Sequence, residues 1–60
     1  MKFVIVSKVT MYGTTFKHEH TQVFPDDSNV FGRVLDYHRY MEKTFPHADG
    51  FELVSAKEVR

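Results

Sequence analysis

Two strand-like segments joined by a short turn open the chain. An apolar run occupies residues 3 to 6, within a segment rich in Val, Ile, Phe, Thr and Tyr that predicts a strand over residues 2 to 12. Residues 15 to 24 alternate in side-chain character and predict a second strand, which ends at Pro25 because proline has no N–H to donate. With Gly13-Thr14 at the turn, the two segments are expected to form a β-hairpin.

The pairing of the two strands is predicted from charge and turn type. With Gly13-Thr14 as the loop, Lys8 lies opposite Glu19, and glycine in the first loop position suits a type II′ turn. With Tyr12-Gly13 as the loop, Lys8 lies opposite Lys17, and like charges directly opposite cost about 0.2–1 kcal/mol. The first register is therefore favoured. It pairs Tyr12 with Thr15, Thr10 with Lys17, Lys8 with Glu19 and Val4 with Val23.

An amphipathic helix and a third strand follow the hairpin. Asp26-Asp27-Ser28 supplies N-cap candidates, and the helix is predicted from about Asn29 to Thr44 and ended by Pro46. Asp49-Gly50 makes a turn, and residues 51 to 59 alternate weakly as a strand. At 100° per residue, one helix face is predicted to be apolar and the opposite face polar. The apolar face consists of Val30, Phe31, Val34, His38, Met41 and Phe45, and the polar face of Arg33, Asp36, Arg39, Tyr40 and Lys43.

This order of elements predicts a single α+β domain over residues 1–60. The expected architecture is β1-β2-α-β3, a three-stranded antiparallel sheet in the order 2-1-3 with one helix packed on one face. The first strand is the most apolar of the three, as a central strand should be. The alternative places the third strand parallel beside the second and would make that polar strand central, so the order 2-1-3 is preferred.

Composition limits the function. The chain has 60 residues and no cysteine, which excludes disulfides and thiolate zinc sites. Eight basic residues balance eight acidic ones, which disfavours nucleic acid as the main ligand. No apolar stretch approaches the roughly 20 residues needed to span a bilayer, and the N-terminal run is too short for a signal peptide. We expect a cytoplasmic protein, in the host cytoplasm if it is viral, with no membrane partner.

Candidate chemistry is confined to histidines. His-x-His on a strand places His18 and His20 on one side of the sheet, and His38 lies in the apolar helix stripe, so these three imidazoles are the candidates for a zinc site. The competing interpretation is that they are ordinary core or edge histidines, and it is preferred. Ser7 beside a histidine would suit a nucleophile and its base, but so short a chain leaves little room for a substrate pocket. We expect no catalysis and no cofactor.

The sheet face away from the helix is the candidate interaction surface. A single helix covers one face of a three-stranded sheet, so apolar residues on the other face should remain uncovered inside a charged rim, as in protein-binding surfaces. The predicted partner-binding residues are Val4, Val6, Tyr12, Val23 and Val54. Homodimerisation would use the same residues. An alternative contact surface for RNA or an acidic protein is the helix face that carries Arg33, Arg39, Tyr40 and Lys43.

The layout also resembles a protein family. A short hairpin, Asp26-Asp27 before one amphipathic helix, Phe45 near its end and a closing strand resemble small bacteriophage host-takeover proteins, closest to the phage antitoxins of the Dmd (discriminator of mRNA degradation) type. That resemblance implies a non-enzymatic inhibitor that occupies a groove of a larger host protein, such as a nuclease toxin, a polymerase or a defence complex. The alternatives are a nucleic-acid-associated accessory domain and a histidine-based metal-binding minidomain.

Overall fold

The computed structural model describes residues 1–59 and confirms the α+β architecture. Three strands and one helix follow one another as β1 (Lys2–Met11), β2 (Thr14–Val23), α1 (Val30–Thr44) and β3 (Gly50–Val59). The strands form one antiparallel sheet in the order β2-β1-β3, so the apolar first strand is central as predicted. Among the described residues, no helix combines the length and the apolar character needed to cross a bilayer.

The hairpin turn lies at Tyr12 and Gly13, so the favoured register is wrong. Lys8 pairs with Lys17, the arrangement that the charge argument had disfavoured. Tyr12 has φ 54° and Gly13 has φ 77°. Positive φ at both central residues defines a type I′ turn, whose twist matches the twist of the flanking strands, and Gly13 adopts this conformation without a Cβ clash. Turn geometry thus outweighs the small repulsion between two exposed lysines.

The slip of two residues keeps every side chain on its predicted face but changes its neighbours. Val4 lies opposite Thr21 instead of Val23, and Val23 lies opposite Lys2 at the end of the hairpin. The side chains of Ile5, Ser7 and Val9 still face the helix and are buried. A slip of one residue would have exposed them.

A β-bulge interrupts the pairing of β3 with β1. Leu53 lies opposite Ser7 and Ser55 lies opposite Val6, which leaves Val54 as the extra residue. Because of this insertion, odd-numbered residues before Val54 and even-numbered residues after it share the helix side of the sheet. A bulge bends the strand and increases its twist.

The N-cap of α1 is Asn29, not one of the predicted candidates Asp26, Asp27 and Ser28. The Asn29 side-chain oxygen Oδ1 accepts a hydrogen bond of 2.7 Å from the backbone N–H of Gly32. Its extended backbone and its amide oxygen satisfy one of the free N–H groups of the first turn. Ser28 instead accepts hydrogen bonds from the guanidinium of Arg33.

The helix is rolled by about a quarter turn from its predicted orientation, which makes the predicted helix faces wrong in part. Tyr37 and Met41 are its buried residues. Val30 and Phe31, predicted to point inward, are 71% and 75% exposed. Tyr40, predicted to point outward, is half-buried against the sheet.

Polar groups on the sheet explain this roll. The hydroxyl of Tyr37 shares a buried hydrogen bond of 2.7 Å with the Ser7 hydroxyl, and the Tyr40 hydroxyl lies 3.1 Å from Nε2 of His18. A valine or phenylalanine in either place would leave these groups without a partner, which costs free energy in a desolvated site. Tyrosine combines apolar ring area with a hydroxyl that reaches the polar groups.

The hydrophobic core is small for a 60-residue chain. Its buried apolar residues are Ile5, Val9, Phe24, Tyr37 and Met41. Half-buried aromatic residues extend it at the periphery. Many other large apolar side chains remain exposed, and most of them lie on α1 and β3.

Candidate docking groove

The helix lies asymmetrically over the sheet, toward β2. The Tyr40 ring stacks on His20 with 3.9 Å between ring centroids. The Phe45 ring meets His18 edge-on at 4.9 Å. On the other side, the rings of Tyr37 and His38 reach Phe51 at 6.0 and 5.3 Å, near the start of β3.

A groove opens between the first part of α1 and β3. Its volume is about 430 Å³ and its lining is almost entirely apolar. Phe3, Ile5, Leu53 and Ala56 contribute from the sheet, and Val30, Val34, Tyr37 and His38 contribute from the helix. This volume lies within the range of about 300–1,000 Å³ that is usual for binding sites.

The bulge and the small residue after it contribute to the shape of the sheet side of this groove. Ala56 lies opposite Ile5 on the helix side and carries only a methyl group, which leaves space for the groove at that position. Leu53, just before the bulge, is 49% exposed. Both residues escaped the sequence-based prediction of a site, because that prediction placed the helix over this part of the sheet.

The helix side continues the apolar surface beyond the groove. Val34 lines the groove and is 46% exposed, and Phe31 and Leu35 beside it are exposed as well. The sequence did contain a signal for this surface, the apolar residues at positions 30, 31, 34 and 35. The first three were interpreted as core, and Leu35 was assigned to neither helix face.

Arg33 supplies a fixed positive charge at the groove. Its Nε donates to the Ser28 hydroxyl at 3.1 Å, and its Nη2 donates to the Ser28 carbonyl at 3.0 Å. The guanidinium carbon lies 5.8 Å from the centre of the Phe3 ring. An acceptor group on a bound segment would therefore find an oriented cation beside an aromatic surface.

The predicted partner-binding residues on the opposite sheet face are dispersed. Val4 and Val6 are half-buried in the middle of the sheet. Tyr12 lies in the hairpin turn, Val23 lies at the far end of β2, and Val54 is the extra residue of the bulge. Their role in binding stays a prediction.

Val4 and Val6 are neighbours on β1, but polar and charged residues flank both of them on the adjacent strands. Val6 has Glu19 on one side and Ser55 on the other, and Val4 has Thr21 and Lys57 as neighbours. The slipped register removed the predicted pair of Val4 with Val23, which would have joined two apolar side chains. This face is therefore a mosaic of valines, polar residues and charges, whereas the lining of the groove is almost entirely apolar.

The alternative helix-face surface is not assembled as predicted. Tyr40 turns toward the sheet and bonds to His18, and Arg33 turns toward Phe3 and bonds to Ser28 in the loop before α1. Arg39 is exposed and lies 4.0 Å from Asp36, an expected i,i+3 pair. Lys43 is exposed in the last turn. Only Arg39 and Lys43 of the four remain on the outer face.

The histidines do not form the candidate three-imidazole cluster. His18 and His20 stack with 5.4 Å between centroids under Tyr40, whereas His38 is exposed and packs against Phe51 on the β3 side. In the part of the chain that the structure describes, no three His, Cys, Asp or Glu side chains are grouped to hold a metal ion. Nδ1 of His20 is buried without a protein partner, while its Nε2 lies 3.0 Å from Oε1 of Gln22.

Ser7 is not paired with a histidine. Its hydroxyl is fully buried and bonds to Tyr37, so the imagined nucleophile and base do not meet. This hydrogen bond is interpreted as part of the core beneath the groove.

The imidazole stack predicts acid-sensitive stability. Partial burial lowers the pKa of His18 below its usual value, and the neighbouring His20 lowers it further. The folded state therefore favours the neutral ring, so its contribution to stability is complete above about pH 6.5 and is lost as the pH falls below that value. We expect the melting temperature, followed by circular dichroism, to fall between pH 7.5 and pH 5.

Two variants identify the source of this acid sensitivity. His18→Phe keeps an aromatic ring against Phe45 but cannot be protonated, so its melting temperature should depend less on pH. His47→Gln removes an exposed histidine of the loop before β3 and should behave like the unmodified protein. An equal pH dependence in His18→Phe and the unmodified chain would assign the effect to other groups.

The fold and the groove define a class of protein, a small α+β domain with a single helix on one face of its sheet. The helix lies toward β2 and leaves an open apolar groove on the β3 side of that same face. Comparison with protein-family models, with curated proteins and with solved structures finds no match for the chain. The resemblance to bacteriophage host-takeover proteins therefore stays a prediction.

Proposed function

We propose that this chain is a small non-enzymatic protein-binding module that neutralises a larger protein by steric occlusion. The observation that supports this function most strongly is the continuous apolar surface made by the groove and the exposed helix stripe beside it. Large contiguous apolar surfaces with a polar rim are typical of protein interfaces. The larger host proteins that the resemblance implies are the proposed targets.

The shape of the groove favours an apolar segment of the partner. A helix or extended segment would place its apolar side chains between Val34 and Leu53, where both sides are half-exposed. Aromatic and aliphatic anchors in such pockets contribute most of the binding energy of protein interfaces. Arg33 at the groove would favour an acceptor, such as a carboxylate, on the same segment.

The proposal is tested with a matched pair of valine substitutions. Val34→Asp places a charge in the groove, and Val23→Asp makes the same change at an exposed site on the opposite sheet face. Full-length unmodified chain and both variants are immobilised and exposed to a lysate of the natural host in about 0.15 M and about 1 M NaCl. A partner bound through the groove should be retained at both salt concentrations, persist with Val23→Asp, and be lost with Val34→Asp.

The captured protein is then purified and its activity is measured with and without added chain. Loss of its activity on stoichiometric binding supports occlusion. Equal capture by the unmodified chain and Val34→Asp would exclude the groove, and loss with Val23→Asp alone would place the interface on the opposite face. If the unmodified chain specifically retains no protein, or the bound protein stays fully active, the proposed function is wrong.

A second candidate is a nucleic-acid-associated domain that uses the opposite sheet face. The register places Lys2, Lys8, Lys17 and Lys57 on this face, with Lys8 directly opposite Lys17. An anionic backbone would relieve this repulsion. Binding of a single-stranded RNA oligonucleotide should then weaken steeply with salt and weaken further in Lys17→Glu. Absence of binding at about 0.05 M NaCl would exclude this candidate.

A further inference from the structure

The outer edge of β3 has no neighbouring strand within residues 1–59. β3 is 10 residues long and contains no proline, so its outer edge offers backbone N–H and C=O groups to another strand. Leu53 and Val54 on this strand are 49% and 47% exposed. The other edge strand, β2, carries mostly Thr, Lys, Glu, His and Gln side chains, so it would bury less apolar surface.

The chain exposes more surface than its mass requires. Its accessible surface is 4470 Å², compared with about 4,100 Å² expected for a folded monomer of 7.1 kDa. Three of the exposed large apolar side chains, Leu53, Val54 and Val59, lie on β3. A standard protein interface removes about 800 Å² from each partner, which the β3 edge and the adjoining apolar side chains are well placed to supply.

The charges of β3 are complementary to those of a second copy. If two β3 strands pair antiparallel about a two-fold axis between Val54 and Ser55, Glu52 lies opposite Lys57 of the other copy, and Leu53 lies opposite Ala56. Each pair occurs twice by symmetry. Moving the axis to Ser55 would instead place Glu52 opposite Glu58, which is repulsive.

The bulge supports the same axis. Residues that are directly opposite in an antiparallel pair lie on the same face of the sheet. Before Val54 the odd-numbered residues face the helix side, and after it the even-numbered residues do. With the axis between Val54 and Ser55, each residue therefore lies opposite one on the same face, as in the pair Leu53 and Ala56. The pair Glu52 and Lys57 also matches in charge. An axis at Ser55 would place Leu53 opposite Lys57, which lies on the other face of the sheet.

We propose that β3 pairs with β3 of a second copy of this chain to form a continuous six-stranded sheet. Both helices then lie on one face of the sheet, and the two grooves become neighbours across the symmetry axis. This inference goes beyond the proposed function and does not rest on it, because the pairing forms through the backbone of β3, whether or not another protein occupies the groove.

A charge-swap experiment tests the dimer. The molar mass of the full chain is measured by sedimentation equilibrium from about 1 µM to 1 mM in low salt. We expect a shift from 7.1 kDa toward twice that mass as the concentration rises. Lys57→Glu places two carboxylates opposite each other in both symmetry-related pairs, and should weaken the dimer roughly tenfold or more. The double variant Glu52→Lys/Lys57→Glu restores opposite charges and should regain most of the lost affinity.

Lys17→Glu is the matched control, since it makes the same charge change on the other edge strand. It should dimerise like the unmodified chain, and circular dichroism should show that all variants are folded. A monomer at all concentrations overturns the inference. So does a dimer that Lys57→Glu leaves intact, a double variant that fails to recover, or a dimer that is weakened by Lys17→Glu or Val34→Asp instead.

Discussion

Replacing Met41 with alanine is expected to unfold a large fraction of the protein at 25 °C. Met41 is completely buried between the helix and the sheet, and truncation of a buried methionine to alanine costs about 2–5 kcal/mol. A domain of this size rarely has more than about 3–5 kcal/mol of stability in total. Urea denaturation, followed by far-UV circular dichroism, should show little or no native baseline.

The adjacent residue provides the control for this substitution. Glu42 is exposed on α1, and Glu42→Ala should change the free energy of unfolding by less than about 0.5 kcal/mol. A loss below about 1 kcal/mol for Met41→Ala would show that the helix is not packed on the sheet through this residue. Both variants have alanine in the same helix, so differences in helix propensity are small.

The buried hydrogen bond between Ser7 and Tyr37 is the second large contributor. Ser7→Ala leaves the Tyr37 hydroxyl without its partner, and Tyr37→Phe does the same to the Ser7 hydroxyl. Each single change should cost about 1–3 kcal/mol. The double variant should cost less than the sum of the two, because both polar groups are removed together, with a coupling of about 0.5–3 kcal/mol.

An exposed hydroxyl pair in the hairpin serves as the comparison. Thr10 and Thr15 share a hydrogen bond of 3.0 Å between exposed side chains. Since water replaces a lost partner there, Thr15→Ala should change stability by at most about 0.5 kcal/mol. Additive effects of Ser7→Ala and Tyr37→Phe would show that the two hydroxyls do not depend on each other, which would contradict the roll of the helix described above.

Local pattern predicted the elements and the sheet order correctly. The apolar character of β1 indicated a central strand, and Pro25 and Pro46 marked the ends of β2 and α1 to within a few residues. These signals are local: a strand needs β-branched and aromatic residues, and a proline cannot continue a ladder or a helix. The alternation on β2 also placed His18 and His20 correctly on the helix side.

The register escaped prediction because both sequence signals favoured the wrong loop. The charge pairing of Lys8 with Glu19 and the fit of glycine to the first position of a type II′ turn are each small free-energy terms. The type I′ turn requires a positive φ at Tyr12, which has φ 54°, and few non-glycine residues adopt such a conformation. Composition does not reveal that a tyrosine will accept a left-handed conformation.

The roll of the helix explains why the candidate site was misplaced. Apolar periodicity predicted Val30, Phe31 and Val34 as core, but burial depends on what the opposing surface presents. Ser7 and His18 on the sheet require hydrogen-bonding partners, and Tyr37 and Tyr40 supply them. The groove was therefore invisible in the helix pattern taken alone, although its residues were present in it.

The sequence by itself determined the number, type and order of the elements and the faces of β1 and β2 that turn toward the helix, because these follow from local propensity and two-residue alternation. Only the tertiary structure decided the strand register, the bulge at Val54 and the roll of α1, since each reflects a balance of small terms between elements distant in the chain. The groove beside β3 depends on the bulge and on the roll of α1, so it too belongs to the tertiary structure.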